Sequence, residues 1–206
     1  MRTEAFSVQA TLDSVRSSPN AAGVADVCIS FNGGAWRGSL YLGVVEYLQT
    51  HYPANVLNGW HFVGVSSGAC YALALAMDFP VEQLRTLVCT AASTARSHRL
   101  GVAFRVDEIT GQVILDIIAT VPEEELMRRL HGRFALAYSE IGCCGKARAR
   151  LAYNFTSKAE LYNAFSATGH IPFYSSLKHS PRMNGCRCMD GVFTSDGAVP
   201  LLPGAV

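Results

Sequence analysis

Between His61 and Met77 the chain passes through a short apolar run, a tight Ser66-Ser67-Gly68 turn and nine residues that are apolar on every side. His61-Phe62-Val63-Gly64-Val65 has the length and composition of a buried strand. Ala69 to Met77 reads as a helix, and a helix without a polar face has to be buried. The same order occurs upstream. Val24 to Phe31 reads as a strand, Asn32 to Gly38 as a glycine loop, and Leu40, Val44 and Leu48 recur every four residues with Tyr41 and Val45 alongside. Strands alternating with helices through short glycine turns specify an α/β domain.

The remaining chain fits that class. Pro80 suits the first turn of a helix with Glu82 near its positive end and Val81, Leu84 and Val88 on one stripe. Asp107 to Ala119 and Pro122 to Leu130 read as helices, the latter with Glu123 to Glu125 early and Arg128 and Arg129 late, a solvated helix start rather than a site. Phe134, Leu136 and Tyr138 alternate with small residues, as do Leu151, Tyr153 and Phe155 after a Gly142–Gly145 turn, which predicts a hairpin. Ser157-Lys158-Ala159-Glu160 is a capping box opening a helix through Phe165, and Met189 to Pro203 reads as a loop. With no repeat and no linker, one domain over residues 24–206 is expected behind a poorly defined leader, residues 1–23.

Composition narrows the function. The 206 residues are half hydrophobic and 16% charged, with net charge +1, which excludes a disordered or coiled-coil chain and gives no pull toward nucleic acid. The longest apolar stretch, Ala69 to Met77, falls far short of the ~20 residues a membrane-spanning helix needs. The first residues lack an apolar signal segment, so a cytoplasmic location is the expectation. Seven cysteines lack the spacing of a disulfide framework. Cys28 and Cys70 read as core residues, Cys143, Cys144, Cys186 and Cys188 as loop thiols, and no metal or cofactor is expected.

Gly64-Val65-Ser66-Ser67-Gly68 matches Gly-x-Ser-x-Gly between a strand and a helix, the context of a nucleophilic serine. The helix N-terminus there favours the negative charge that develops on acyl attack. For a Ser-His-Asp arrangement, Asp107 or Asp116 with His170 or His179 has the chain order, but no histidine stands in a distinctive motif; His51, His61, His98 and His131 are no better placed. Gly33-Gly34-Ala35-Trp36-Arg37-Gly38 is neither a P-loop nor a dinucleotide fingerprint, and its small residues let backbone N–H groups face an oxyanion or a phosphate.

Three ordered blocks resemble the patatin-like phospholipases: Phe31 to Gly38 the glycine-rich loop, Gly64 to Ala69 the serine elbow, and Met189-Asp190-Gly191 the late aspartate motif. Ser157 to Phe173, with Leu161, Ala164, Ala167, Ile171 and Pro172, is similar to the family's helix and the segment after it. The resemblance implies a three-layer α/β/α fold with a mainly parallel sheet and a Ser-Asp dyad. Ser66 would be the nucleophile, Asp190 the base, and the amides around Gly33, Gly34 and Ala35 the oxyanion hole, with Arg37 and Gly38 completing the loop. Gly64 and Gly68 would frame the elbow. Asn32, Ala35 and Val192 depart from the family pattern, and Asp196-Gly197-Ala198 is a second match to the aspartate motif. Asp190 is preferred, because a short loop leads from it to Pro200. The implied activity is hydrolysis of fatty-acyl esters of phospholipids or neutral glycerolipids, with peripheral contact to a membrane or lipid droplet and no calcium. A lipid-binding scaffold without turnover, or a Ser-His-Asp esterase, is the alternative.

Overall fold

The computed structural model describes residues 27–142, 145–177 and 180–194. The leader, residues 24–26 of the first expected strand, Cys143, Cys144, His179 and the Asp196-Gly197-Ala198 string lie outside them.

The expected α/β order is present. Strand β1 (Cys28–Phe31) leads through the glycine loop into a 3-10 segment (Ala35–Leu40), helix α1 (Tyr41–His51) and a single turn, α2 (Ala54–Leu57). Strand β2 (His61–Val65) is followed by the buried helix α3 (Gly68–Ala76), then α4 (Val81–Ser97), α5 (Val106–Ala119) and α6 (Glu123–Leu130). The hairpin is β3 (Phe134–Ile141) and β4 (Ala147–Tyr153), before α7 (Lys158–Gly169), β5 (Arg182–Met183), β6 (Cys186–Asp190) and a 3-10 turn at Gly191–Phe193.

Strands β1, β2 and β3 are parallel neighbours, β4 and β6 run antiparallel to β3, and β5 runs antiparallel to β6. Register decides where β6 lies. Residues 135–141 of β3 pair with β4 along one edge, so β2, on residues 134–137, and β6, on residues 138–141, share the other. They meet where both strands end, with Val65 opposite Ala137 and Asp190 opposite Tyr138. Phe31 pairs with Gly64, so the glycine loop leaves the sheet beside the serine turn.

The helices seal this sheet with large apolar side chains. Phe62, Leu73, Ile117, Leu126, Phe134 and Leu136 are fully buried. Phe31 meets Tyr41 edge-on at 5.2 Å, Tyr41 meets Tyr71 of α3 at 5.5 Å, and Phe165 of α7 stacks on Phe134 at 6.1 Å.

Five expectations need correction. The glycine loop tightens into a 3-10 segment ending at Leu40, which is exposed, while Tyr41, Val44, Val45 and Leu48 pack on the core as expected and Leu42 joins them. Helix α7 continues past Phe165 to Gly169, because its second half also packs inward through Ala164, Ala167 and Thr168. Met189 and Asp190 end a strand rather than open a loop, and pairing with β3 draws Cys188 into the sheet while pairing with Met183 of β5 draws in Cys186. Cys28 is half-buried, and Cys70 packs against the core while also lining a cavity. The cap of α7 is half a box: Ser157 Oγ accepts from Glu160 N–H, while the Glu160 carboxylate takes the N–H and hydroxyl of Thr156.

Candidate active site

Ser66 follows the last residue of β2 with φ at 52°, a left-handed conformation a serine adopts only where the surroundings enforce it. Its flanking glycines enforce it sterically. A β-carbon on Gly64 would come within 2.3 Å of Ala69 Cα, and one on Gly68 within 2.4 Å of Phe31 O. Only glycine lets helix α3 start this close to the sheet. The turn is also held from outside: Ser66 N–H donates to Thr168 Oγ1 at 2.9 Å, and the Thr168 hydroxyl donates to Ala137 O. Thr168 is buried and holds the serine turn, a contact that the motifs do not reveal; its place in the segment leading to Pro172 is the one sequence signal for it.

The glycine loop wraps the same turn. Gly34 N–H donates to Ser67 Oγ at 3.1 Å, Arg37 N–H closes the loop on Gly34 O at 2.9 Å, and Gly38 packs so tightly on Ser67 that a β-carbon would lie 2.8 Å from its Oγ. Asn32 Oδ1 accepts from Gly33 N–H at 2.8 Å, so the amide that replaces an acid before the glycines still supplies an acceptor. Gly33 and Gly34 therefore already have partners for their N–H groups, whereas no hydrogen bond to Ala35 N–H is present among the described residues. The Arg37 side chain is exposed and makes no ion pair or hydrogen bond there.

Asp190 closes the third side and is fully buried. Its N–H donates to His170 O at 2.7 Å, its Oδ1 accepts from Val192 N–H at 3.0 Å, and Oδ2 is a buried acceptor without a hydrogen-bond partner among the described residues. Burial pushes the carboxyl above the usual carboxylate range, and the nearby Ser66 hydroxyl and the Val192 N–H pull it partly back. A β-carbon on Gly33 would lie 2.6 Å from Val192 Cγ1 and 3.1 Å from Ser66 Cβ. The glycine loop, the serine turn and the segment after Asp190 are thus in mutual contact.

The site opens into a cavity of about 530 Å³. Ala35, Trp36, Ser66 and Ser67 line one end; Val88 and Ala92 of α4, Val113 and Ile114 of α5, and Phe165 of α7 form apolar walls. Cys70 and Tyr71, one turn beyond the serine, also line it, and burial pushes the Cys70 thiol up to about 12, which leaves it protonated and inert.

The histidine alternative is only partly assembled. His170 Nδ1 lies 3.2 Å from Asp107 Oδ2, which also accepts from Ser176 Oγ at 2.8 Å, but no hydrogen bond joins the imidazole to Ser66. Asp116 is exposed and accepts from Gln112. His51, His61 and His98 bond to Tyr47 O, Gly132 O and Arg105 respectively, away from the serine turn.

The sequence model described as "Patatin-like phospholipase" matches residues 29–203. Human "Patatin-like phospholipase domain-containing protein 2" is 28% identical over 166 residues, 79% of this chain and 31% of that protein. Human "1-acylglycerol-3-phosphate O-acyltransferase PNPLA3" is 24% identical over 166 residues, covering 79% and 33%. The chain spans about a third of the length of these curated relatives. The crystal structure of VipD from Legionella pneumophila aligns with a TM-score of 0.49 at 14% identity, over 90% of this chain and 49% of that one.

Proposed function

The chain belongs to the patatin-like phospholipase family, and from that premise we propose that it cleaves fatty-acyl esters of phospholipids or neutral glycerolipids through an acyl-serine on Ser66. The observation that carries this reading is the convergence of Ser66, the Gly33 loop and the Asp190 segment at one end of an apolar cavity.

Asp190 takes the Ser66 proton as Oγ attacks the ester carbonyl. The C–O bond to the alcohol then breaks, and the proton passes to the departing alkoxide. Water, deprotonated by Asp190, cleaves the acyl-serine and releases the fatty acid. A carboxylate held above its usual range is a better base than an ordinary one, and its unpartnered Oδ2 leaves an acceptor for that proton. Ala35 N–H is free for the oxyanion, and Gly34 N–H joins it by exchanging the Ser67 hydroxyl for the charged oxygen, a stronger acceptor. Peripheral contact with a membrane or lipid droplet belongs to the same reading.

A fluorophosphonate probe is expected to label the wild type and not Ser66→Ala, with fatty acid released from phosphatidylcholine or triacylglycerol by the wild type alone. Absence of both signals from folded protein would overturn the proposal. One relative is named for acyl transfer, and the same acyl-serine passed to a lipid hydroxyl gives a new ester; product analysis with lysophospholipid present separates the two fates. The occupied Gly33 and Gly34 amides favour a second reading, a lipid binder without turnover. That reading requires lipid binding unchanged by Ser66→Ala, together with no labelling.

A further inference from the structure

We propose that three loops around the cavity mouth form a docking face for an anionic lipid surface, an inference that rests on Ser66 acting on lipid esters. Leu40, Leu100, Phe173 and Leu177 are 78%, 70%, 82% and 76% exposed, while every other large apolar side chain among the described residues is at most 51% exposed. All four stand beside the cavity. Leu40 follows Ser39, Leu100 precedes Gly101 and Val102, and Phe173 lies between Ile171 and Tyr174, all cavity-lining residues. Leu177 follows Ser176, which is bonded to the cavity-lining Asp107.

Two of the three loops are bonded to each other, and the Leu40 segment adjoins the same cavity through Ser39. Phe104 N–H donates to Tyr174 O at 2.8 Å, joining the segment after α4 to the segment after α7. Phe104 and Phe173 have φ of 65° and 64°, a strained conformation for a bulky residue, yet Phe173 gains no burial in return. Apolar side chains concentrated in this way mark an interaction site.

Charge identifies the occupant. Arg37 lies in the 3-10 segment that ends at Leu40, Arg96 in the last turn of α4 and Arg99 beside Leu100, and their side chains make no hydrogen bond or ion pair among the described residues. The neighbouring acids are engaged: Asp107 by His170 and Ser176, Glu108 by Arg105. A chain of net charge +1 thus presents an apolar rim with uncompensated cations around one opening. A protein seated there would stopper the cavity that holds Ser66. An anionic bilayer instead pairs its head groups with the arginines, accepts the apolar tips and presents acyl chains to the opening.

Co-sedimentation of the 206-residue chain with phosphatidylcholine vesicles, with and without 30% phosphatidylserine, tests the proposal. Binding is expected to be stronger with phosphatidylserine and weakened by salt. Phe173→Asp/Leu177→Asp is expected to lower partitioning about a hundredfold, and Leu100→Asp, on a separate loop, about tenfold. Arg96→Gln/Arg99→Gln is expected to lower it about tenfold on the anionic vesicles only. Hydrolysis of a soluble short-chain ester by Phe173→Asp/Leu177→Asp is expected to stay within about twofold, because neither residue lines the cavity. Undiminished binding in both apolar variants would overturn the proposal, as would failure of the wild type to bind either vesicle. A dimer in sedimentation that Phe173→Asp/Leu177→Asp dissociates, with vesicle binding intact, would assign the face to a second copy instead. Vesicle binding without ester hydrolysis would leave the docking face standing and overturn only the proposed hydrolysis.

Discussion

Ser66 N–H is bonded to the Thr168 hydroxyl, 2.9 Å away and 102 residues later in the chain. The bond fixes the strained turn to helix α7, and the threonine hydroxyl in turn donates a hydrogen bond to Ala137 O on β3. Thr168→Val keeps the shape but strands two half-buried groups, at a cost of about 1–3 kcal/mol by denaturant unfolding. Because the serine turn loses its external tether, kcat is expected to fall about tenfold or more, while Thr168→Ser restores most of both. Circular dichroism beside ester-hydrolysis kinetics checks the pair.

That tether also shows where reading a sequence stops. Strand β2 and helix α3 are legible because a buried strand and a buried helix have distinctive compositions, and the elbow between them because both glycines are sterically required. Leu40 leaves the expected stripe because it closes the 3-10 segment, where three residues per turn break the spacing that Val44, Val45 and Leu48 keep in helix α1. Strand β6 is short and mixed in polarity, and only its pairing with β3 makes it a strand. The motif residues Gly33, Ser66 and Asp190 are legible from local patterns, whereas Thr168 and the cavity walls depend on packing among α3, α4, α5 and α7 that no local pattern records.

Gly33 has no room for a side chain. Gly33→Ala would place its methyl 2.6 Å from Val192 Cγ1 and 3.1 Å from Ser66 Cβ, pushing the loop off the serine turn. Loss of one well-placed oxyanion donor typically costs ~10²–10³ in rate, and a drop of about a hundredfold in kcat is expected here. Val192→Ala removes the closer obstacle. The double variant should recover part of the loss, and a purely additive result in steady-state kinetics would show that the two residues are not coupled.

The Cys70 thiol stays protonated at neutral pH because its burial raises it to about 12, so its contribution is space rather than chemistry. Iodoacetamide at pH 8 is expected to modify the exposed Cys89 and to spare Cys70, as read by peptide mass. Cys70→Phe would fill the cavity one turn from Ser66. Overpacking costs ~1–3 kcal/mol in a tight core and less beside a void. The expected signature is a fall of about tenfold or more in kcat/KM for long-chain over short-chain esters, with short-chain turnover nearly unchanged.

As the proposed base, Asp190 would link turnover to stability through one carboxyl. That base has to be ionised, and burial holds the carboxyl above the usual range, so kcat/KM should rise with pH through a single ionisation above the ~3.9 of a free aspartate. In the unfolded chain that ionisation is ordinary. The raised folded value means that the carboxyl contributes most below the unfolded value and that this contribution is lost as pH climbs through the folded one. At pH 7 the ionised group therefore works against folding. Asp190→Asn keeps an acceptor for Val192 N–H and removes the buried charge. It is expected to lower activity by about a thousandfold or more while raising Tm by roughly 2–4 °C at pH 7, a gain that shrinks toward pH 4. Calorimetry across that range checks it: a Tm that falls at pH 7 with the bond to Val192 intact would mean that Asp190 is held for structure rather than as a base.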